Sequence, residues 1–167
     1  MRPFRSPRGQ ALVEFSLVLP IFLIMLMAVV DIGRAIWAQN SLAAAAREGA
    51  RYAIVHGGSD TTACPVGPIS PDRTVPLPTA SASCPYPSPS KQSIKDAVTA
   101  AAAAGGTSLS VTVCYGAGCS GDTDTTTNKR GEPITVAVTS RVNLITSAIL
   151  GQGGFGISTT TTMVVNH

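Results

Sequence analysis

The chain has 167 residues, a formal net charge of +3 and 44% hydrophobic residues. Arg2, Arg5 and Arg8 account for the whole positive excess, so the rest of the chain is close to neutral. A nucleic-acid-binding surface needs a clustered basic face, and the sequence has no Lys/Arg run with interleaved aromatic residues. We therefore expect no nucleic-acid partner.

The first predicted element is an apolar run over Ala11–Val30, interrupted only by Glu14, Ser16 and Pro20. A helix of this length rises about 30 Å, the thickness of the hydrocarbon core of a bilayer. We predict a single transmembrane segment here, with membrane lipid as its partner. Pro20 removes one backbone hydrogen bond, so we expect a kink or a local loosening of the helix.

Charge predicts the orientation of this segment. The three arginines precede it with no acidic residue among them, so the positive-inside rule places a basic leader, residues 1–9, in the cytoplasm. The residues after about Asp31 are then outside. A cleaved secretory signal is the rival interpretation, but the apolar run is long for a signal core and no small-x-small site follows it closely.

Glu14 is the unusual residue of the apolar run. A carboxylate near the start of a membrane helix costs roughly 2.5–3.5 kcal/mol on insertion scales, so a compensating partner would explain it. A carboxylate that reaches back to headgroups and water is the alternative.

The spacing around Glu14 is equally informative. Counted from a break after Gly9, Gln10 is the first residue, Glu14 the fifth and Phe15 the sixth. This arrangement resembles the leader of type IV prepilins, which a cytoplasmic peptidase cuts after a glycine that precedes the apolar helix. The resemblance implies that Gly9 and Gln10 form the cleavage site and that a prepilin peptidase is a partner.

The resemblance extends beyond the apolar run. Asp31–Ala35 and Ala43–Ala53 are similar to the TadE-like proteins, minor pilins or pseudopilins of tight-adherence (Tad/Flp) pilus systems. This implies a subunit anchored in the bacterial inner or cell membrane, or carried into the pilus, that acts in pilus assembly. Other pilins or pilus assembly proteins would be its partners.

In the assembly mechanism that the resemblance implies, Glu14, with Phe15 beside it, pairs with the new amine of Gln10 on a neighbouring subunit. The pair would cancel two charges that are costly in lipid. The alternative function is an exported adhesin or binding domain that stays anchored and does not polymerise, and an anchored enzyme is the third.

The helix is predicted to continue outside the membrane, over 10–56. One face, rich in small residues, recurs at three- and four-residue spacing: Ile32, Ala35, Ile36, Gln39, Leu42, Ala43, Ala46, Ala50 and Ala53. Small residues let another helix approach closely. For Ala43–Ala53, packing on other pilins and packing under the chain's own domain are both open, whereas packing on other helices is favoured for Ala11–Val30.

A Pro-rich loop is predicted over 57–90, which carries eight of the chain's twelve prolines. No regular element longer than a turn fits between them, so we expect an exposed and largely extended segment.

Four cysteines, Cys64, Cys84, Cys114 and Cys119, fall in the part predicted to be exported. An even number there indicates two disulfides, for which four cysteines allow three pairings. We favour the sequence neighbours, Cys64 with Cys84 and Cys114 with Cys119. A zinc site is the alternative, although neither pair has a histidine near it.

Residues 91–167 are predicted to form a small α+β domain, with one helix packed on a three- or four-stranded, mostly antiparallel sheet. The helix extends from a Ser90 cap to Ala104, before Gly105-Gly106. The segment Val142–Leu150 is either a short helix or an exposed apolar connection.

Alternation of apolar and polar residues predicts the strands of this domain. They are expected at Leu109–Val113, Ile134–Val138 and, as a Thr-rich edge strand, Ile157–Val165. A polar loop, Gly116–Gly131, separates the first two.

No catalytic chemistry is recognisable in the sequence. Neither His56 nor His167 has a Ser or Cys nucleophile motif around it, so we expect no enzyme, no catalytic residue and no cofactor. Gly151-x-Gly153-x-x-Gly156 matches the dinucleotide fingerprint literally. Too few residues follow it to supply the helix and the acidic residue that such a site needs.

A calcium site is the remaining chemical alternative. Asp122, Asp124, Asn128 and Glu132 offer oxygen ligands, but without the spacing of an EF-hand. A plain polar hairpin loop is favoured, and no metal is expected.

Overall fold

The computed structural model describes residues 7–56, 66–68, 90–102, 108–126, 128–151 and 153–166. They form three helices, α1 (Pro7–Val55), α2 (Gln92–Ala101) and α3 (Ile145–Leu150), and three strands, β1 (Ser108–Tyr115), β2 (Pro133–Val142) and β3 (Phe155–Val164). The α+β prediction is confirmed: a long apolar helix precedes a small domain with a three-stranded sheet.

α1 is one continuous helix of 49 residues, which extends about 73 Å at 1.5 Å per residue. The helix is continuous through Pro20. Its two parts differ in burial. The side chains of the exposed segment, Gly9–Val30, are exposed except for the half-buried Met27 and Ala28. The packed segment, Asp31–Val55, contributes buried residues to the core.

The sheet is antiparallel with strand order β1-β2-β3, so the Thr-rich β3 lies at an edge, as predicted. In register, Val113 pairs with Val136, and Val136 pairs with Thr161. Because neighbouring residues of a strand point to opposite faces, the apolar positions of β2 share one side. Ile134, Val136 and Val138 are fully buried on that side.

The packed segment of α1 covers the apolar face of the sheet. Its buried residues are mostly alanines, which lets the strands approach the helix backbone closely: Ala38, Leu42, Ala45, Ala46, Ala50 and Ala53. Packing of the alanine stripe under the chain's own domain is therefore what the structure shows. The domain does not cover the lower end of the predicted face, where Ile32 and Ile36 are 61% and 56% exposed and Gln39 is also exposed.

α2 lies beside α1 rather than acting as the principal cover of the sheet. Its Ile94 and Val98 are fully buried, and a Cβ added at Gly49 of α1 would overlap Cγ2 of Val98. Gly49 thus permits close contact between the two helices. The Ser90 hydroxyl accepts a hydrogen bond from the Gln92 N–H at 3.0 Å, which supports the predicted serine at this helix start, although Lys91 occupies the N-cap position.

Part of the Pro-rich loop is held inside the domain. Val66 is 2% exposed, its carbonyl accepts a hydrogen bond from Asn128 Nδ2 at 2.8 Å, and the Asn128 N–H donates to the Pro68 carbonyl at 3.2 Å. The prediction of an exposed loop is therefore wrong for Val66 and Gly67, which are buried. Cys64 and Cys84, with their predicted disulfide, lie outside the described residues.

The other predicted disulfide is present. Cys114, at the end of β1, is bonded to Cys119, with the two Cα atoms 5.9 Å apart. The pair closes the start of the polar Gly116–Gly131 loop.

Candidate processing and assembly site

The exposed segment of α1 is apolar over most of its surface, with Gln10, Glu14 and Ser16 as its polar side chains. Fourteen large hydrophobic side chains between Leu12 and Val30 are at least 38% exposed. At about 1.5 kcal/mol for burying each one, covering them is worth on the order of 20 kcal/mol, more than the whole stability of a typical small domain. This helix is long and apolar enough to cross a membrane, with a mean hydropathy of 2.6 over 18 residues.

Glu14 is the acidic residue of the exposed segment, and it is exposed. Within the described residues it has no hydrogen-bond or ion-pair partner. It is the fourth residue of the apolar run, about 5 Å along the helix axis from Ala11. Phe15 beside it is 62% exposed. Both side chains are therefore available to a second molecule.

Gly9 and Gln10 lie in the first turn of α1, which begins at Pro7. Both are exposed, and a Cβ added at Gly9 would meet no atom within 4 Å. The domain therefore does not require a glycine at position 9. This distinguishes Gly9 from Gly49, where helix packing excludes a side chain.

Asp31 marks the change from the exposed to the packed segment and links α1 to α3. Its Oδ1 accepts a hydrogen bond from the Ile145 N–H at 2.9 Å. Its Oδ2 accepts two more from Thr146, from the N–H at 2.8 Å and from the hydroxyl at 2.7 Å. The carboxylate is 3% exposed and satisfies the first N–H groups of α3, which have no partner within that helix.

The hydrogen bonds keep Asp31 ionised. The Thr146 N–H has the largest influence and holds the pKa of the carboxyl below its ordinary value. Burial acts in the opposite direction, but the Ile145 N–H, the Thr146 hydroxyl and the charge of Arg34 outweigh it. Arg34 lies one turn further along α1, with Nη1 3.9 Å from Oδ1 of Asp31.

Sequence reasoning noted Asp31 as part of a resemblance but missed this role. The partners are 114 and 115 positions away in the chain, beyond the range of any local pattern. The available signal was a carboxylate placed directly after a long apolar run.

The far end of the domain carries a second set of carboxylates. Asp122 accepts a hydrogen bond from the Val113 N–H, and Asp124 accepts one from the Tyr115 N–H, both at 2.9 Å. The loop thus caps outward-facing amides of the edge strand β1, a way of blocking unwanted strand pairing. Burial by itself would raise the pKa of Asp122, but Lys95 and the Val113 N–H hold it below its ordinary value.

Lysines of the α2 region complete this cluster. Lys91 Nζ is 2.6 Å from Asp124 Oδ1, and Lys95 Nζ is 2.6 Å from Asp122 Oδ2. Two of the carboxylates considered for calcium, Asp122 and Asp124, are therefore bound to lysines and to backbone amides. The described residues contain no group of three or more His, Cys, Asp or Glu side chains arranged for a metal ion.

The other chemical candidates are dispersed. His56 stacks on Tyr52 with ring centroids 4.1 Å apart, and its Nδ1 is 3.0 Å from the Tyr52 carbonyl. His167 lies outside the described residues. Gly151 ends α3 in a left-handed conformation, and Gly156 belongs to β3, so the apparent dinucleotide fingerprint spans a helix end and a strand.

The comparison with protein families agrees with this division of the chain. The model of the family described as TadE-like protein matches residues 9–51, which include the exposed segment and most of the packed segment of α1. The resemblance predicted from the sequence is thereby confirmed, and it indicates a pilin-like protein associated with a Tad pilus. No curated protein matches the chain, and no solved structure matches it.

Proposed function

We propose that this chain, which is TadE-like in its N-terminal segment, is a membrane-anchored pilin-like subunit that acts in the assembly of a Tad/Flp-type pilus. The proposal rests on the exposed segment, a strongly apolar helix with one unpartnered carboxylate that the described part of the chain leaves almost entirely uncovered. Lipid covers it before assembly, and helices of other pilins cover it afterwards.

Glu14 pairs with a positive charge on a neighbouring subunit during assembly. A carboxylate inside an apolar environment is stabilised by an opposite charge, and cleavage after Gly9 creates one at the Gln10 amine of a neighbouring subunit. The exposure of Gly9, Gln10 and Glu14 on one helix end supports this role. The work of the chain is thus assembly rather than catalysis, with a prepilin peptidase, other pilins and membrane lipid as its partners.

The test is processing of the full chain by a prepilin peptidase. Co-expression is expected to yield a chain that begins at Gln10, and Gly9→Val is expected to block cleavage because a branched side chain replaces bare backbone at the scissile bond. Gly33→Val is the matched control, since Gly33 is also helical and an added Cβ meets nothing within 4 Å.

N-terminal sequencing of the mature surface fraction decides between the functions. A chain that still begins at Met1 or Arg2 would refute the processed pilin and favour the permanently anchored binding domain. If Gly33→Val also abolishes cleavage, valine prevents cleavage by disturbing the helix and not by blocking the scissile bond.

A further inference from the structure

A groove opens where the exposed segment of α1 meets the domain. One wall is a face of α1 from Ala28 to Gln39, and the other is formed by Leu144, Thr146, Phe155 and Ile157. The groove encloses about 340 Å³. Along α1 it extends about 16 Å at 1.5 Å per residue.

The lower end of this groove lies inside the predicted span, and the rest lies just above it. Ala28 precedes Val30, whereas Ile32 and Ile36 are about 3 Å and 9 Å beyond Val30 along the axis. The polar zone of a bilayer adds about 5–7 Å to the hydrocarbon core on each side. The groove therefore crosses the level of the headgroups, if α1 spans the membrane as proposed.

Apolar side chains are exposed at this level on three elements. Ile32 and Ile36 of α1, Ile145 of α3 and Phe155 of β3 are between 40% and 61% exposed. Trp37 is 59% exposed. Because side chains on a helix lean toward the N-terminus of the helix, its indole lies over the preceding turn of α1, closer to the span. Tryptophan is typical of the membrane interface.

The charges near the groove favour a phospholipid. Among the described residues 28–39, 140–147 and 155–158, Asp31 is the acidic one, and its carboxylate is held by Ile145 and Thr146. Arg34, whose Nη1 lies 3.9 Å from Oδ1 of Asp31, and Arg141 are exposed at the same end of the domain. With two arginines and one carboxylate, the rim carries a formal excess of one positive charge opposite the phosphates of the headgroups.

We propose that phospholipid of the leaflet on the domain's side fills this groove, so that the membrane-proximal end of the folded domain lies in the headgroup zone. The inference rests on the proposed membrane anchor and adds a second, shallow contact to it. The Asp31 hydrogen bonds hold α3 at the depth where the contact is made. The domain then has a fixed height above the bilayer.

Fluorescence quenching by brominated lipids tests the proposal, because Trp37 is the single tryptophan of the chain. The full chain is reconstituted in phosphatidylcholine vesicles with bromine near the carbonyl end of the acyl chains. We expect Trp37 itself to be quenched. Three double variants then combine Trp37→Phe with one new tryptophan at a known height relative to the bilayer. The new tryptophan is Leu23→Trp in the span, Phe155→Trp at the groove or Val164→Trp at the far end of β3.

Phe155 and Val164 are both exposed, 40% and 56%, at opposite ends of the same strand and about 30 Å apart, on opposite faces of the sheet. Leu23→Trp and Phe155→Trp are expected to be quenched to a similar extent, and Val164→Trp to be unaffected. If Leu23→Trp is quenched and Phe155→Trp is not, the anchor stands and the lipid-filled groove is refuted, whether or not Trp37 is quenched. If Leu23→Trp is not quenched, the anchor and the groove proposal both fail.

A second copy of the chain is the competing occupant. A helix of a neighbouring subunit in the groove would exclude lipid at high protein content, so quenching of Phe155→Trp would rise as the protein is diluted with lipid. Such a rise would overturn the proposal. Quenching that is independent of the protein-to-lipid ratio supports it.

Discussion

Close packing of α2 on α1 is tested by a single methyl group at Gly49. A Cβ there would overlap Cγ2 of Val98 and lie 3.6 Å from Cγ1 of Val136. Alanine in place of glycine ordinarily stabilises a helix by about 1 kcal/mol. Overpacking of a filled core costs typically about 1–3 kcal/mol, so we expect Gly49→Ala to be destabilising by up to about 2 kcal/mol.

Two further variants separate overpacking from other effects. Gly33→Ala makes the same change in the same helix, where the new Cβ meets nothing within 4 Å, and it should be neutral or stabilising. Val98→Ala removes the atom that clashes. The double variant Gly49→Ala/Val98→Ala should therefore be more stable than the sum of the two single effects predicts, by about 1 kcal/mol or more.

The assay is amide hydrogen exchange of β2 in the full chain in detergent micelles, because β2 is the central strand, packs against α1 and opens only when the domain does. A Gly49→Ala chain as well protected as Gly33→Ala would refute the packing of α2 against α1. Additive effects in the double variant would do the same.

The remaining predictions concern assembly, the disulfide and pH. Glu14→Leu should leave membrane insertion intact or improved, by up to about 3 kcal/mol, yet abolish pilus incorporation, whereas Glu14→Asp should be partly tolerated; normal piliation of Glu14→Leu would remove the charge-pairing mechanism. Replacing Cys114 and Cys119 by serine opens a short loop and should cost about 2 kcal/mol in urea unfolding, and a thiol titration of non-reduced protein should find neither cysteine free. Because the pKa of Asp122 is lowered in the folded chain, the stabilisation by its carboxylate is present above its ordinary value of 3.8 and is lost as pH falls through the lowered pKa. The protection of the Val113 amide, measured relative to an unstructured amide at the same pH, should therefore fall on acidification, and it should not fall further in Asp122→Asn.

The sequence was most informative where the physical cause is local. Alternation of apolar and polar residues identified all three strands, because burial on one face of a sheet imposes a period of two. The length and hydropathy of Ala11–Val30 likewise identified the exposed segment. The staple between Cys114 and Cys119 was predictable because five positions separate the two residues.

Contacts between distant residues were not predictable in the same way. Asn128 holds Val66 across 62 positions, and Asp31 holds Thr146 across 115. Helical periodicity indicated a face of α1, but contacts with the rest of the domain decide how far along the helix that face is buried. These contacts bury Ala38 and Ala45, and leave Ile32 and Ile36 exposed.

The way that α1 divides its surface limits how the proposed subunit can assemble. Ala45, Ala46 and Ala50 are fully buried under the sheet, so they are not available to helices of other subunits. Close helix packing between subunits through α1 is therefore left to its exposed residues, most of which lie in the exposed segment, Gly9–Val30, together with Glu14. A subunit in the bilayer can present that surface to lipid without unfolding its domain, and it can exchange lipid for neighbouring helices without breaking the Asp31 hydrogen bonds. Assembly then requires no rearrangement of the fold. It requires only that helices of neighbouring subunits replace the lipid around the exposed segment of α1.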